Sequence, residues 1–223
     1  MGRSAHVVGR GVRIADRVRQ SGSVRRRSRV AENPVLAYSQ GMKLPPNLLS
    51  FPHAIQTYEH DCGAAVLQGV LLYYGVEIRK QQIYKHAKTN KVVGTLIRGM
   101  LSTIKRHGLD YDSRSMTLDE LKAYLDKKIP VILFMEGGTE GPKDLFKDFG
   151  DSHWVVAIGY DESKVYLEDP YSYNRVYLTH AELLKHWHGK ELFKEYVRHG
   201  IAVIGKKPMY DPDKVIHLDY GSE

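Results

Sequence analysis

The feature that most constrains this chain is its single cysteine, which stands at the predicted start of an apolar helix. The residues after Cys62 carry apolar side chains at the spacing of one buried helical face, namely Val66, Leu67, Val70, Leu71 and Tyr74. Gly75 predicts the end of the helix, and Asp61 is a residue type that caps helix starts. In the first turn, unpaired amide groups and the positive end of the helix dipole favour a thiolate over a thiol.

A cysteine alone does not establish catalysis, because free cysteine usually packs as a small apolar residue. A catalytic cysteine requires a histidine that takes and returns its proton, a third group that orients the histidine, and donors for the oxyanion. In cysteine enzymes these partners are distant in sequence. The rest of the chain therefore has to supply a candidate for each role.

The positive charge of the chain is concentrated in residues 1–33, which contain nine arginines and only two acidic residues. The remaining residues are balanced, with 24 basic and 24 acidic side chains. Three interpretations of this arginine-rich arm stay open: a segment that binds nucleic acid or an anionic membrane, an organellar presequence, and a disordered tail upstream of a later start at Met42. We favour the disordered tail. A secretory signal is disfavoured because no apolar segment follows the basic residues.

The domain organisation follows from prolines and apolar runs. Four prolines in residues 34–55 predict extended chain. We call residues 34–49 the approach segment, because they lead towards the turn at Gln56. Residues 50–206 predict one domain, and residues 207–223 a peripheral tail. No run of 18 apolar residues occurs, so we expect no membrane span. A single cysteine excludes an internal disulfide and is compatible with a reducing compartment, and we expect a cytoplasmic location.

The period of the apolar residues changes near residue 130. Before residue 130, the patterns predict four helices, over residues 62–74, 79–87, 95–107 and 117–127, and a short strand over 109–114. Thr95 is the predicted cap of the third helix and Thr117 that of the fourth. After residue 130, the patterns predict a helix capped by Thr179 over 179–188 and strands over 130–135, 154–158, 164–167, 175–178 and 201–204. Short turns predict antiparallel pairing, and residues 136–152 form a candidate lid loop. The predicted class is α+β, with a helical N-terminal half that carries the cysteine helix against an antiparallel sheet.

His153 has the sequence context of a general base. It begins a predicted strand, so its ring projects from a strand end at the rim of the sheet, where apolar shielding can hold its pKa near the working pH. A solvated role is expected for most other histidines, His199 among them. His186 and His188 are two residues apart and would point to different faces of a helix, so we expect no metal site there.

Asp169 ends a predicted strand sixteen residues after His153. If residues 153–160 and 164–169 form a hairpin, the end of the second strand returns beside the start of the first. The carboxylate then lies next to the imidazole, where it can accept a hydrogen bond and fix the tautomer. The alternative interpretation is that Asp169 and Pro170 simply initiate a turn.

Three segments together carry a family resemblance. They are Gln56 six residues before the cysteine of Asp-Cys62-Gly-Ala-Ala, then Ser-His153-Trp-Val-Val-Ala-Ile-Gly-Tyr, then Tyr-Leu-Glu-Asp169-Pro. Over roughly residues 50–205, the chain resembles the bacteriocin-processing (double-glycine leader) cysteine peptidases and their stand-alone relatives in the papain-like superfamily. The resemblance implies a papain-like fold, a peptide or protein substrate, and no metal or organic cofactor.

The resemblance also implies a role for each matched residue. Cys62 would be the nucleophile, His153 the general base and acid, and Asp169 the group that orients the histidine. Gln56 would donate from its side chain to the oxyanion hole, with the Cys62 amide as the second donor. The predicted function is a cysteine peptidase that cleaves a peptide or isopeptide bond, with leader-peptide processing as one form of it.

Two other functions stay open. The same triad could transfer the acyl group to an amine, as in a transglutaminase-like acyltransferase. A papain-like domain could also bind a peptide without cutting it, although relatives with that role lack the cysteine that this chain has. Nucleic-acid binding is disfavoured, because charge is balanced beyond residue 33 and no stacking aromatic motif is evident.

Overall fold

The structure, a computed structural model, describes residues 44–137 and 152–218. The arginine-rich arm, residues 34–43 of the approach segment and most of the candidate lid loop lie outside the described residues. The chain divides into two units, residues 1–42 and 43–223. Everything described below belongs to the second unit.

The helices of the described ranges lie mainly in the first half of this unit. They are α1 (Cys62–Tyr73), α2 (Lys80–Ala87), α3 (Ile97–Arg106), α4 (Leu118–Asp126) and α5 (His180–His186). The sequence predicted one buried face for α1, but ten of its twelve residues are buried. The reason is that α1 contacts β3 of the sheet as well as α2 and α3. Within the described ranges, no helix is long and apolar enough to cross a bilayer.

The strands form one six-stranded sheet and one separate hairpin. They are β1 (Asp110–Ser115), β2 (Val131–Glu136), β3 (Ser152–Tyr160), β4 (Lys164–Glu168), β5 (Val176–Thr179), β6 (His188–Glu191), β7 (Lys194–Val197) and β8 (His199–Ile204). The sheet has the order β1-β8-β2-β3-β4-β5, and every neighbouring pair is antiparallel. The predicted α+β class with an antiparallel sheet is confirmed. The hairpin of β6 and β7 was not predicted.

Two predicted helix starts are confirmed, and one predicted helix end is wrong. Thr117 and Thr179 both form capping boxes, each with a glutamate three residues later. The last helix was expected to reach His188 but ends at His186. The next residue, Trp187, is fully buried and donates from its indole N–H to the His199 carbonyl at 2.9 Å. This contact turns the chain into β6.

The sequence predicted a solvated role for His199, and this prediction is wrong. His199 lies in β8, the strand between β1 and β2 in the sheet. It is 7% exposed, and its Nε2 lies 3.2 Å from the Ser113 hydroxyl. Burial, together with the charge of Lys194, lowers the pKa of His199 to about 4. The imidazole is therefore a neutral part of the sheet at physiological pH.

Candidate active site

Cys62 is the first residue of α1 and lines a cleft of about 470 Å³. The cysteine is 7% exposed and is one of the residues that line this cleft. Thr95 and Trp154 line the cleft beside it. Gly63 permits the close approach of the residue 95 loop, because a Cβ at this position would lie 2.6 Å from the Thr95 Cβ.

His153 and Asp169 meet at the end of the β3–β4 pair. His153 is the second residue of β3, and Asp169 follows the last residue of β4. The distance from His153 Nε2 to Asp169 Oδ1 is 2.7 Å. Cys62 also acts on this imidazole, since it is one of the groups that raise the pKa of His153. The structure thus joins His153 to Asp169 by a hydrogen bond and places Cys62 near enough to affect the charge of the same imidazole.

The surroundings of His153 favour a protonated imidazole. Burial lowers the pKa of His153, but the interactions with Asp169 and Cys62 together outweigh burial and raise it to about 9. Burial raises the pKa of Asp169, but the hydrogen bond with His153 outweighs this effect, so the net change is downward. At neutral pH an imidazolium next to a carboxylate is therefore the preferred state. Such an imidazolium supports a thiolate, which is the form of cysteine that attacks carbonyl carbons.

Gln56 lies on the loop that leads to Cys62, but its side chain is engaged locally. Its backbone N–H donates to the Pro170 carbonyl at 2.8 Å, which ties the loop to the residue after Asp169. Its amide Nε2 donates to the Tyr58 carbonyl at 3.2 Å. The Oε1 atom is buried and accepts a hydrogen bond from none of the described residues. Of the described side chains that line the cleft, none is that of Gln56.

Asp61 does not cap α1 through its side chain, contrary to the sequence prediction. Its carboxylate turns back and accepts hydrogen bonds from the backbone N–H groups of Thr57 and Tyr58. The hydroxyl of Tyr84, in α2, donates to the same carboxylate. Sequence reasoning missed this contact, since Tyr84 is 23 residues away.

A second buried carboxylate lies directly before Asp169. Glu168 accepts a hydrogen bond from Arg175 Nε and lies against His53 Nδ1, both at 2.6 Å. Arg175 also donates to the Phe51 carbonyl at 3.2 Å. These contacts attach the chain before Gln56 to the end of β4. Sequence reasoning missed them as well, because each residue alone has an ordinary polar context.

One wall of the cleft is the hairpin that the sequence did not predict. Residues 190–193, from the end of β6 through the turn, line the cleft, opposite the turn at residues 91–96. Thr95 was expected to cap α3, but the N-cap is Leu96, and no side-chain cap is formed. Glu191 instead accepts from the Ile97 N–H at 2.5 Å, so the hairpin supplies the partner of the first helical amide.

His186 and His188 do not diverge as predicted, because the helix ends between them. His186 Nδ1 lies 3.1 Å and His188 Nε2 lies 3.6 Å from the same oxygen of Glu136. Even so, over the described ranges, no group of three or more His, Cys, Asp or Glu side chains has a geometry that could hold a metal ion.

Solved structures share this fold over nearly their whole length. A double glycine motif protease from an AMS/PCAT transporter, solved in complex with the leader peptide, is 20% identical with a TM-score of 0.54; the match covers 74% of this chain and 97% of that chain. The peptidase domain of Streptococcus ComA, a bifunctional ABC transporter, is 22% identical with a TM-score of 0.54, covering 69% and 98%. A C39-like peptidase from Bacillus anthracis is 16% identical with a TM-score of 0.54, covering 72% and 98%.

The family is established by sequence. At these identities the solved structures show the likeness of fold alone, and none of the curated proteins is significantly similar to this chain. Residues 50–196, which are well over half of the chain and include the cleft residues described above, match the model of the Peptidase C39 family. The chain therefore belongs to the peptidase C39 family and is a cysteine peptidase.

Proposed function

We propose that Cys62, His153 and Asp169 are the catalytic triad of this peptidase and that the cleft above Cys62 receives the scissile peptide bond. The observation that supports this proposal is an arrangement in which the His153 imidazole is hydrogen-bonded to the Asp169 carboxylate and has its pKa raised by both Asp169 and Cys62. It supplies a nucleophile, a general base and acid, and a group that orients the base. The position of Cys62 in the first turn of α1 adds the helix dipole to the stabilisation of the thiolate.

The reaction begins with attack of the Cys62 thiolate on the substrate carbonyl carbon. The carbonyl electron pair moves to oxygen, where the Cys62 amide and the second N–H of Gln56 Nε2 donate to it. His153 then gives its proton to the leaving amine, and a thioester remains on Cys62. His153 next takes a proton from water, the hydroxide attacks the thioester, and the departing thiolate releases the carboxylic acid and restores the thiolate–imidazolium pair. No step requires a metal or an organic cofactor.

The proposed substrate is a peptide or protein with a double-glycine leader segment. Support comes from the solved relatives, of which one is described as a double glycine motif protease and was solved with a leader peptide. The cleft also suits a peptide, because its rim carries the apolar side chains of Val92, Leu192 and Phe193. We place the reaction in the cytoplasm, where a single catalytic thiol stays reduced.

A synthetic peptide with a double glycine between an apolar leader-like segment and a reporter segment tests this proposal. Wild-type protein should cut it, and Cys62→Ala should lower kcat by at least about 10⁴-fold, because the nucleophile is lost. Circular dichroism of the variant controls for folding. Mass spectrometry with an added primary amine should identify a free acid as the product. Cleavage that persists in a folded Cys62→Ala protein would reject the triad, and an amide product would favour acyl transfer.

A further inference from the structure

The turn between Gln56 and Cys62 contains a fully buried carboxylate that the proposed mechanism does not use. We propose that Asp61 is a positioning residue: it fixes the backbone of this turn so that the Gln56 side chain and the Cys62 amide address the same oxyanion. The inference rests on the proposed function, since it concerns the oxyanion site of that reaction. Tyr84 in α2 holds the carboxylate in place.

Among the described residues, the side chain of Asp61 contacts the turn and α2. Its relative exposure is 0%. Thr57 N–H lies 3.0 and 3.2 Å from the two carboxylate oxygens, and Tyr58 N–H lies 3.2 Å from one of them. The carboxylate therefore fixes the two peptide groups that follow Gln56.

Helix α2 secures the other side of the carboxylate. The Tyr84 hydroxyl donates to Asp61, and burial together with this hydrogen bond raises the pKa of Tyr84, so the hydroxyl keeps its proton throughout the working pH range. Lys80 Nζ lies 4.0 Å from the carboxylate and donates to the Ile55 carbonyl at 2.5 Å. The turn is thus attached to α2 at residues before and after Gln56.

The free-energy cost of burying the Asp61 carboxylate supports a positioning role for it. Removing a carboxylate from water costs several kcal/mol unless charged and hydrogen-bonding partners compensate. Here the partners are directed at the turn and not at the first turn of α1, where Asp61 makes no side-chain cap. Only five residues separate Gln56 from Cys62, so the backbone of this turn determines where the two oxyanion donors lie relative to each other. A displacement of about 1 Å at a reacting centre can cost about 10²-fold in rate.

Two probes of Cys62 separate positioning of the oxyanion site from general damage. A short peptide aldehyde that ends in Gly-glycinal is captured when sulfur adds to the aldehyde carbon and the carbonyl electron pair moves to oxygen, so capture depends on the oxyanion donors. Iodoacetamide reacts by displacement of iodide at a saturated carbon, so alkylation depends on the thiolate but needs no oxyanion donor. Both are measured on the full chain by mass spectrometry and inhibition kinetics.

Asp61→Ala should weaken aldehyde capture about 10- to 100-fold, while iodoacetamide alkylation changes by less than about 3-fold. Asp61→Asn keeps one acceptor oxygen and should restore part of the capture. Tyr84→Phe removes only the hydroxyl and should weaken capture by a smaller factor in the same direction. In a protein that already carries Gln56→Ala, Asp61→Ala should weaken aldehyde capture by less than about a further 3-fold, because the two changes act on one donor site. Tyr124→Phe is the matched control, since it removes a tyrosine–aspartate bond between α4 and β1, away from the cleft.

Several results would overturn the inference. They are an equal fall of capture and alkylation, losses that multiply in the double variant, and unchanged capture in folded Asp61→Ala. If Asp61→Ala does not fold, Tyr84→Phe decides alone, and capture at the level of Tyr124→Phe rejects the inference. Wild-type protein that captures no aldehyde rejects the proposed function itself, and the inference falls with it.

Discussion

At the scale of single residues, the site depends on how His153 balances burial against two partners. Burial disfavours its charged form, while Asp169 and Cys62 favour it, and the partners prevail. The result is a histidine that is protonated at neutral pH, and in the proposed mechanism this imidazolium is the acid that releases the leaving amine. The pH dependence of the reaction should therefore report this pKa.

Replacing Asp169 with asparagine should shift the alkaline limb of the kcat/KM profile. In the wild type the limb should lie near pH 9, where His153 loses its proton. An asparagine side chain offers no negative charge, so the pKa of His153 falls and the limb moves to lower pH, with a loss of about 10²- to 10⁴-fold in kcat. Asp126→Asn is the control, because this carboxylate accepts from Tyr160, away from the triad. An unmoved limb in Asp169→Asn would contradict the assigned role.

At the scale of elements, the cleft is built where segments distant in sequence meet. The central helix α1 supplies Cys62, β3 supplies Trp154, and the β6–β7 hairpin forms a wall. The hairpin is attached to α3 through Glu191, which accepts from the Ile97 N–H. A carboxylate at a helix N-terminus is favoured by the helix dipole as well as by the hydrogen bond.

Glu191→Ala should release this wall and weaken substrate binding. We expect KM for the double-glycine peptide to rise about 10- to 150-fold with little change in kcat, since the loss of a hydrogen bond to a charged group costs about 1.5–3 kcal/mol. Glu195→Ala removes the same charge from the exposed side of the same hairpin and serves as the control. Equal KM values for the two variants would contradict the attachment, and a fall confined to kcat would place the effect at the triad.

The elements also show why sequence patterns predicted part of the fold and not the rest. The cysteine helix, the capping boxes at Thr117 and Thr179, and the apolar strands depend on neighbours within a few residues, so their patterns are visible in the chain. The segment 188–197 is charged and lacks the apolar run from which the other strands were predicted, so the sequence did not predict the β6–β7 hairpin. The cap of α3 could not be predicted from neighbouring residues either. The Ile97 N–H donates to Glu191, which is 94 residues away, and not to the predicted cap Thr95.

At the scale of the whole molecule, two histidines respond to pH in opposite directions. The raised pKa of His153 contributes stability that is fully present below about pH 6.5 and is lost as pH rises through about 9. The pKa of His199 is lower in the folded chain than in the unfolded chain, so on acidification His199 binds a proton in the unfolded chain at a higher pH. Stability is therefore lost as pH falls from about 6.5 to about 4. The sequence suggested neither value, because burial of His199 results from strand order.

Acid titration of the folded state should expose the contribution of His199. Its pKa depression corresponds to a stability loss on the order of 3 kcal/mol between pH 6.5 and 4. His199→Gln removes this titration, so its free energy of unfolding, measured by urea denaturation, should fall less over that range than that of the wild type. His217→Gln, at an exposed position, is the control and should match the wild type. Parallel curves for all three proteins would show that His199 titrates normally.

The proposed mechanism depends on activation of the sulfur at the start of α1 by the imidazole near the start of β3. The most direct measurement is the rate of iodoacetamide alkylation of Cys62 from pH 5 to 10, in wild type and in folded His153→Ala. We expect alkylation at pH 6 to be about 10- to 100-fold faster in the wild type than in the variant, because only the wild type has an imidazolium that supports the thiolate. Identical rate profiles for the two proteins would contradict this activation.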